Sequence, residues 1–251
     1  DANILYDIVQ YLDEKMITKE SFWIGAYDLL DEGQWVWSWN NTDVQMETPL
    51  WGVEMGRQEP NGGSKENCAI LNSEYYYYVF DEDCNKQHSA ICSPSESTDR
   101  VEHRSEPHEA VVPDIDCPYP FIPIGDSCLM VDRVKLNPWS EQMKLCQAVG
   151  GHLAKIVDVN IFGDLFHYLE ENGVDMDLWL GGTDTKEEDK WVWLDDTPVH
   201  MGTPFWGEDV EGTQEPAGGR MENCLALAHK DFFFFEDMNC DDAKGFVCQY
   251  D

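Results

Sequence analysis

The chain has 251 residues, enough for about two domains that each bury a core of their own. Fifty Asp and Glu against sixteen Lys and Arg give a formal charge of −34, a surface that repels nucleic-acid phosphates and anionic lipid head groups. Nine cysteines without CxxC spacing, and no apolar run long enough to span a bilayer, argue against a CxxC metal or redox site and against membrane insertion, and point to a secreted, extracellular protein.

No basic, apolar-cored signal peptide stands at Asp1, so a leader is expected to have been removed or to lie upstream. Asp1-Ala2-Asn3-Ile4-Leu5 lines up with Asp158-Val159-Asn160-Ile161-Phe162, the start of a predicted helix further on. Trp23-Ile24-Gly25 and Trp35-Val36-Trp37 then read as short aromatic strands, with both strand tryptophans of the second run expected in the core. Asn40-Asn41-Thr42 is a glycosylation sequon at Asn40. Gln58-Glu59-Pro60, Glu66-Asn67-Cys68, the tetrad Tyr75 to Tyr78, Asp81, Cys84 and Cys92 complete this part. Alternation along a strand would put half of the tetrad inside and half outside, with core filling its main role.

Residues 93–115 are polar, charged and proline-containing without periodicity, which predicts a flexible linker. Beyond it Cys117 and Cys128 suggest a short hairpin closed by its own bridge. Asn137-Pro138 opens a helix with Pro at its first position, and Gly150-Gly151 ends it. Asp158 caps a second helix, with Ile161, Leu165, Phe166 and Leu169 at helical spacing and Gly173 as its stop. Short strand-like runs follow at Leu178–Leu180, Trp191–Trp193, Cys224–Leu227 and Gly245–Cys248, with the tetrad Phe232 to Phe235 before Asp237. Helices first and strands later give an α+β class.

The organising feature is a duplication. Trp23, Gly25, Asp28, Trp35, Trp37, Glu59, Pro60, Glu66, Cys68, Cys84 and Cys92 all recur 156 positions later. Three units follow: a first domain at 1–92, a linker at 93–115 and a complete second domain at 116–251. The first copy lacks the hairpin and first helix of the second. Cys92 is therefore expected to pair with a cysteine about ten residues upstream of Asp1, on an extension of the natural chain or a cleaved piece.

Taken together, the Trp-Ile/Leu-Gly and Trp-Val-Trp strands, the Gln-Glu-Pro loops, the Glu-Asn-Cys segments, Gly150-Gly151-His152-Leu153-Ala154 and the closing cysteine pairs resemble the C-type lectin-like fold, in a tandem arrangement similar to invertebrate humoral lectins. The resemblance implies bridges Cys117–Cys128, Cys146–Cys248 and Cys224–Cys240 in the second domain and Cys68–Cys84 in the first, among many pairings the count alone allows. It implies calcium in the long loop, where six to eight oxygen ligands leave positions open for two sugar hydroxyls, and a cis bond before the loop proline.

Carried over position by position, the first domain offers Glu59, Asn61, Glu66 and Asp81 as metal and carbohydrate ligands, in a Glu-Pro-Asn order that resembles the mannose type. Phe80 stands where the family has an amide, which should weaken the site, although water could fill the vacancy. The second domain offers Glu215, Glu222, Glu236 and Asp237 as metal ligands, with Ala217 in place of the loop Asn. An auxiliary calcium site would use Asp28 and Glu32 with Glu66, and Asp184 and Glu188 with Glu222, although Gly62 and Gly218 stand where a further acid would help.

There is no HExxH, Gly-x-Ser-x-Gly, phosphate loop or EF-hand loop, and His103 and His108 are isolated, so a binding protein rather than an enzyme is expected. The leading expectation is calcium-dependent recognition of glycans or glycoproteins, including microbial glycans in innate immunity, mainly through the first domain, with avidity from duplication and self-association. The alternatives are a degenerate lectin-like scaffold acting as a structural or protein-binding assembly unit, and an acidic mineral- or matrix-associated protein.

Overall fold

A computed structural model of the chain describes residues 3–17, 19–93, 115–208 and 212–251. All but the ends of the predicted linker, with His103 and His108, lies outside the described residues. The first part runs α1 (Asn3–Glu14), β1 (Phe22–Tyr27), β2 (Val36–Trp37), β3 (Val53–Glu54), β4 (Arg57–Gln58), β5 (Cys68–Leu71), β6 (Val79–Glu82) and β7 (Ser89–Ala90). The second runs β8 (Ile122–Ile124), β9 (Ser127–Asn137), α2 (Trp139–Ala148), β10 (His152–Leu153), α3 (Val159–Glu171), β11 (Leu178–Thr183), β12 (Val192–Trp193), β13 (Cys224–Ala228), β14 (Phe234–Met238) and β15 (Lys244–Tyr250). This is the expected α+β mixture.

The duplication is visible strand by strand. One sheet has the order β2-β1-β5-β6 with β7 parallel to β1; a second has β14-β13-β11-β15-β9-β8, with β12 on β11 and β10 on β15; β3 and β4 pair as a small third sheet. Register is shared: Ala69 faces Asp81 and Ile70 faces Phe80, as Leu225 faces Asp237 and Ala226 faces Glu236. Four disulfides form, Cys68–Cys84, Cys117–Cys128, Cys146–Cys248 and Cys224–Cys240, while Cys92 is free and exposed.

The helices follow local chemistry. Asp158 accepts from the amides of Asn160 (2.8 Å) and Ile161 (3.3 Å), satisfying donors that the first turn of α3 leaves open. Gly173, at φ +58°, ends it. Pro138 is the N-cap of α2, one position before the first helical residue where the sequence put it. In α1, Leu5, Val9 and Leu12 make one buried stripe.

Each tetrad departs from strand alternation. Tyr76 and Tyr77, and likewise Phe232 and Phe233, take left-handed φ of 50–66°, so the chain turns before β6 and β14 begin. Tyr77, Tyr78, Phe233, Phe234 and Phe235 are buried. Trp35, Trp191 and Trp193 are buried too, whereas Trp37 is only half-buried.

The two copies share one continuous apolar core around a pseudo-twofold axis. Thr48 Oγ1 donates to the carbonyl of Phe232 (2.8 Å), and Thr203 Oγ1 donates to that of Tyr76 (2.6 Å), the mirror-image contact. Asn3 Oδ1 accepts from the amide of Val159 at 2.8 Å, tying α1 to the start of α3. Tyr78 packs edge-on against Phe234 at 5.1 Å and donates its hydroxyl to the Trp206 carbonyl. Across the same seam His200 stacks on Tyr6 at 4.6 Å.

His200 supplies a test of that seam. Burial lowers its pKa below the ordinary 6.5, with Asp7 opposing and Lys155 assisting, and its Nδ1 is buried without a partner. Above pH 6.5 the ring is neutral in both folded and unfolded chains and costs nothing. As pH falls below 6.5 the unfolded state takes up the proton first, so stability is lost down through the folded pKa. Melting temperature should therefore fall more between pH 7.5 and 5.5 in the wild type than in His200→Phe; equal falls would remove His200 from the pH response.

A second core lies under α2, built from Trp139, Trp179, Leu153, Phe246 and the buried cystines. Among the described residues the first copy shows no counterpart: Trp179 is fully buried, while its equivalent Trp23 is half-buried and Ala90 is exposed.

Candidate functional site

The long loops reach the sheets through β6 and β14. Asp81 Oδ1 accepts from the amide of Asn61 (3.1 Å) and Oδ2 from that of Gly62 (2.8 Å). Asp237 does the same for Ala217 and Gly218, both at 3.0 Å. A strand carboxylate thus pins each loop just after Glu59-Pro60 and Glu215-Pro216, whose peptide bonds are cis.

This clamp brings the acids together. Glu59 shares a hydrogen bond with Asp81, and Glu215 with Asp237; burial first, then these partners, push Glu59 and Glu215 well above the usual carboxylate range. Asn61 Nδ2 donates to Glu59 Oε1 at 2.5 Å, so three of the four predicted first-domain ligands are directly linked. Glu66 lies beside them, raised by burial and by the Asp81 charge, and Glu222 is raised likewise by burial and Asp237. Burial pushes Glu236 up to about 7, with Asp231 the next cause.

Gly62 and Gly218 are not missing acids. A Cβ there would sit 1.9 Å from Glu66 Oε2 and 1.8 Å from Glu222 Oε2, so only glycine leaves space for these carboxylates. The auxiliary set falls alongside. Burial, then Asp28 and Asp81, raise Glu32; burial, then Asp184 and Asp189, raise Glu188. Asp28 and Asp184 are both 3 % exposed, and one oxygen of each, Oδ2, accepts from Gly33 and Asp189 respectively. Their Oδ1 atoms are buried with no hydrogen-bond partner. A buried, unpaired carboxylate oxygen costs free energy unless a cation or donor meets it.

The donor set is all hard oxygen, and the orphaned Asp28 and Asp184 atoms suit a divalent ion, so the residues fit calcium's chemistry. Among the described residues no three acids, histidines or cysteines stand as a ready-made metal cage. Glu59 with Asp81, and Glu215 with Asp237, instead stand as close carboxyl pairs.

Phe80 stands where the family has an amide and packs into the fold. Its ring is 5 % exposed, stacks on Tyr75 at 4.5 Å and lies so close to Gly52 that a Cβ there would be 2.2 Å from its Cε2. Two acids at the site escaped sequence reasoning. Tyr75 donates to Glu54 Oε1 (2.8 Å), and Asp231, pushed up to about 6 by burial, accepts from the Glu208 amide (3.2 Å). Asp231 is the repeat partner of Tyr75, a difference visible in the sequence once the copies are aligned.

The sequence profile of the "Lectin C-type domain" matches residues 5–94 and again 135–250. Bovine tetranectin is 30% identical over 118 residues, covering 47% of this chain and 56% of tetranectin. Mouse C-type lectin domain family 6 member A is 25% identical over 135 residues, covering 53% of this chain and 60% of that protein, and mouse C-type lectin domain family 4 member F is 28% identical over 115 residues, covering 45% and 20%. The chain thus spans between a fifth and three fifths of the length of these relatives. Among solved structures, the mouse scavenger receptor C-type lectin carbohydrate-recognition domain aligns over 54% of this chain and 98% of that one, with a TM-score of 0.43 and 21% identity. With the profile matched twice, once on each side of the duplication, the chain belongs to the C-type lectin domain family.

Proposed function

We propose that this is a secreted, calcium-dependent carbohydrate-binding protein. The observation that carries the reading is the pair of orphaned oxygens, Asp28 Oδ1 and Asp184 Oδ1, buried at equivalent places in both copies beside further acids. Two such atoms at equivalent places, each beside further acids, support a repeated site that would take a cation. Asp28, Glu32 and Glu66, with Asp184, Glu188 and Glu222, would hold calcium there, and Glu59, Asn61 and Asp81, with Glu215, Glu236 and Asp237, would line the loop positions. Bound calcium supplies open coordination positions for vicinal hydroxyls. The chain's own part is to clamp the loops through Asp81 and Asp237.

Secretion is supported by four disulfides, and no helix among the described residues is long and apolar enough to cross a membrane. Asn40 is exposed in a turn closed by its own side chain, which accepts from Thr42, and is open to glycosylation.

A glycan array probed with and without a calcium chelator tests the function. The expected result is binding of neutral glycans, including mannose-type ones, that disappears with chelator. No chelator-sensitive signal would overturn it in favour of a protein-binding scaffold, a reading that the buried Phe80 ring favours for the first copy.

A further inference from the structure

The seam between the copies holds a cleft of about 760 Å³, in the range of pockets that enclose a ligand of several rings rather than a single small group. Its floor straddles the pseudo-twofold axis. Gly52 and Gly207, Tyr75 and Asp231, and Tyr78 and Phe234 are repeat partners, and all six line it. Symmetry would continue the cleft equally into both long loops. It does not: the lining goes on to Glu215, Glu222 and Glu236 in the second copy but includes none of Glu59, Glu66 or Phe80 in the first.

The cause is one strand position. Phe80 and Glu236 occupy the same register on β6 and β14. The Phe80 ring, wedged between Tyr75 and Gly52, closes its half; Glu236 is a polar chain facing the open half. In the second copy Asp231 replaces the tyrosine, so no aromatic pair blocks the way. The open half is therefore walled by two domains: acid oxygens from the second, and Tyr75 with Met55, 94 % exposed at the rim, from the first. Aromatic and thioether surfaces of this kind suit the apolar faces of sugar rings.

We propose that the chain takes a single oligosaccharide in this cleft, with the second domain supplying the polar contacts, the first domain supplying the Tyr75–Met55 wall, and Phe80 shutting the mirror-image position. This rests on the carbohydrate reading above and makes it more specific: one ligand per chain, and not two. The ligand is uncharged. Among the described charged residues of the lining only Lys230 is cationic, against Glu208, Asp231 and three further acids, so even with one calcium held by the second-copy acids the lining keeps a negative charge that disfavours a carboxylated or sulfated glycan.

Isothermal titration of the whole chain in calcium with mannotetraose, N-acetylchitotetraose and tetragalacturonate tests this. The expected result is one equivalent of a neutral tetramer bound, no binding of tetragalacturonate, loss of binding in Glu236→Gln, and affinity at least tenfold lower in Tyr75→Ala. Met55→Ala, at an exposed position that folding does not need, should weaken binding several-fold. Two equivalents per chain, preference for tetragalacturonate, or wild-type affinity in both Tyr75→Ala and Met55→Ala would overturn the shared cleft while leaving lectin activity intact. Absence of binding to every probe would overturn the carbohydrate reading and the cleft together.

Discussion

Replacing Cys146 and Cys248 together by alanine should lower the stability of the second domain by about 4–5 kcal/mol, against about 3 kcal/mol for the Cys117 and Cys128 pair. The bridges close segments of 102 and 11 residues, and a longer closed loop removes more conformational freedom from the unfolded chain. The long bridge also joins α2 to β15, and both its cysteines are fully buried in the core under α2. Urea unfolding of the two double variants measures the difference directly. Equal losses would mean that the long bridge fastens a framework already held by Trp139, Trp179 and Phe246, and that loop closure contributes little.

Much of the architecture was legible because it was written twice. The recurrence of Trp23, Glu59, Cys68 and their partners located both copies, and capping chemistry placed the start of α3 at Asp158 and its end at Gly173. What local pattern could not carry was the packing of one copy on the other. Tyr78 and Trp206, or Thr48 and Phe232, are more than a hundred residues apart, and no periodicity links them. The tetrads misled for the same reason: their aromatic, strand-like composition gave no sign of the left-handed turn through Tyr76 and Phe232 that lets both tetrads meet at the seam.

At the site, residue types were legible and consequences were not. Phe80 was visible as a departure, but only its contacts with Tyr75 and Gly52 show that it fills its half of the cleft. Gly62 and Gly218 read as deficits until the Glu66 and Glu222 carboxylates were seen in the space a Cβ would take. Asp231 went unnoticed because one acid in so acidic a chain carries no signal by itself.

Calcium at the twin acidic sites underlies the proposed carbohydrate binding. A ligand that binds only the folded chain at a hundred times its Kd adds about 2.7 kcal/mol per site, about 5 kcal/mol for two sites, which for a chain of this size is about 10–20 °C in melting temperature. Asp28→Asn with Asp184→Asn keeps the side-chain volume and removes the charge of both orphaned oxygens. Thermal unfolding of chelator-treated protein on adding calcium, in the wild type and in this double variant, is the direct measurement. The account predicts a calcium shift of that size in the wild type and most of it gone in the variant; no shift in the wild type, or an undiminished one in the variant, would contradict it.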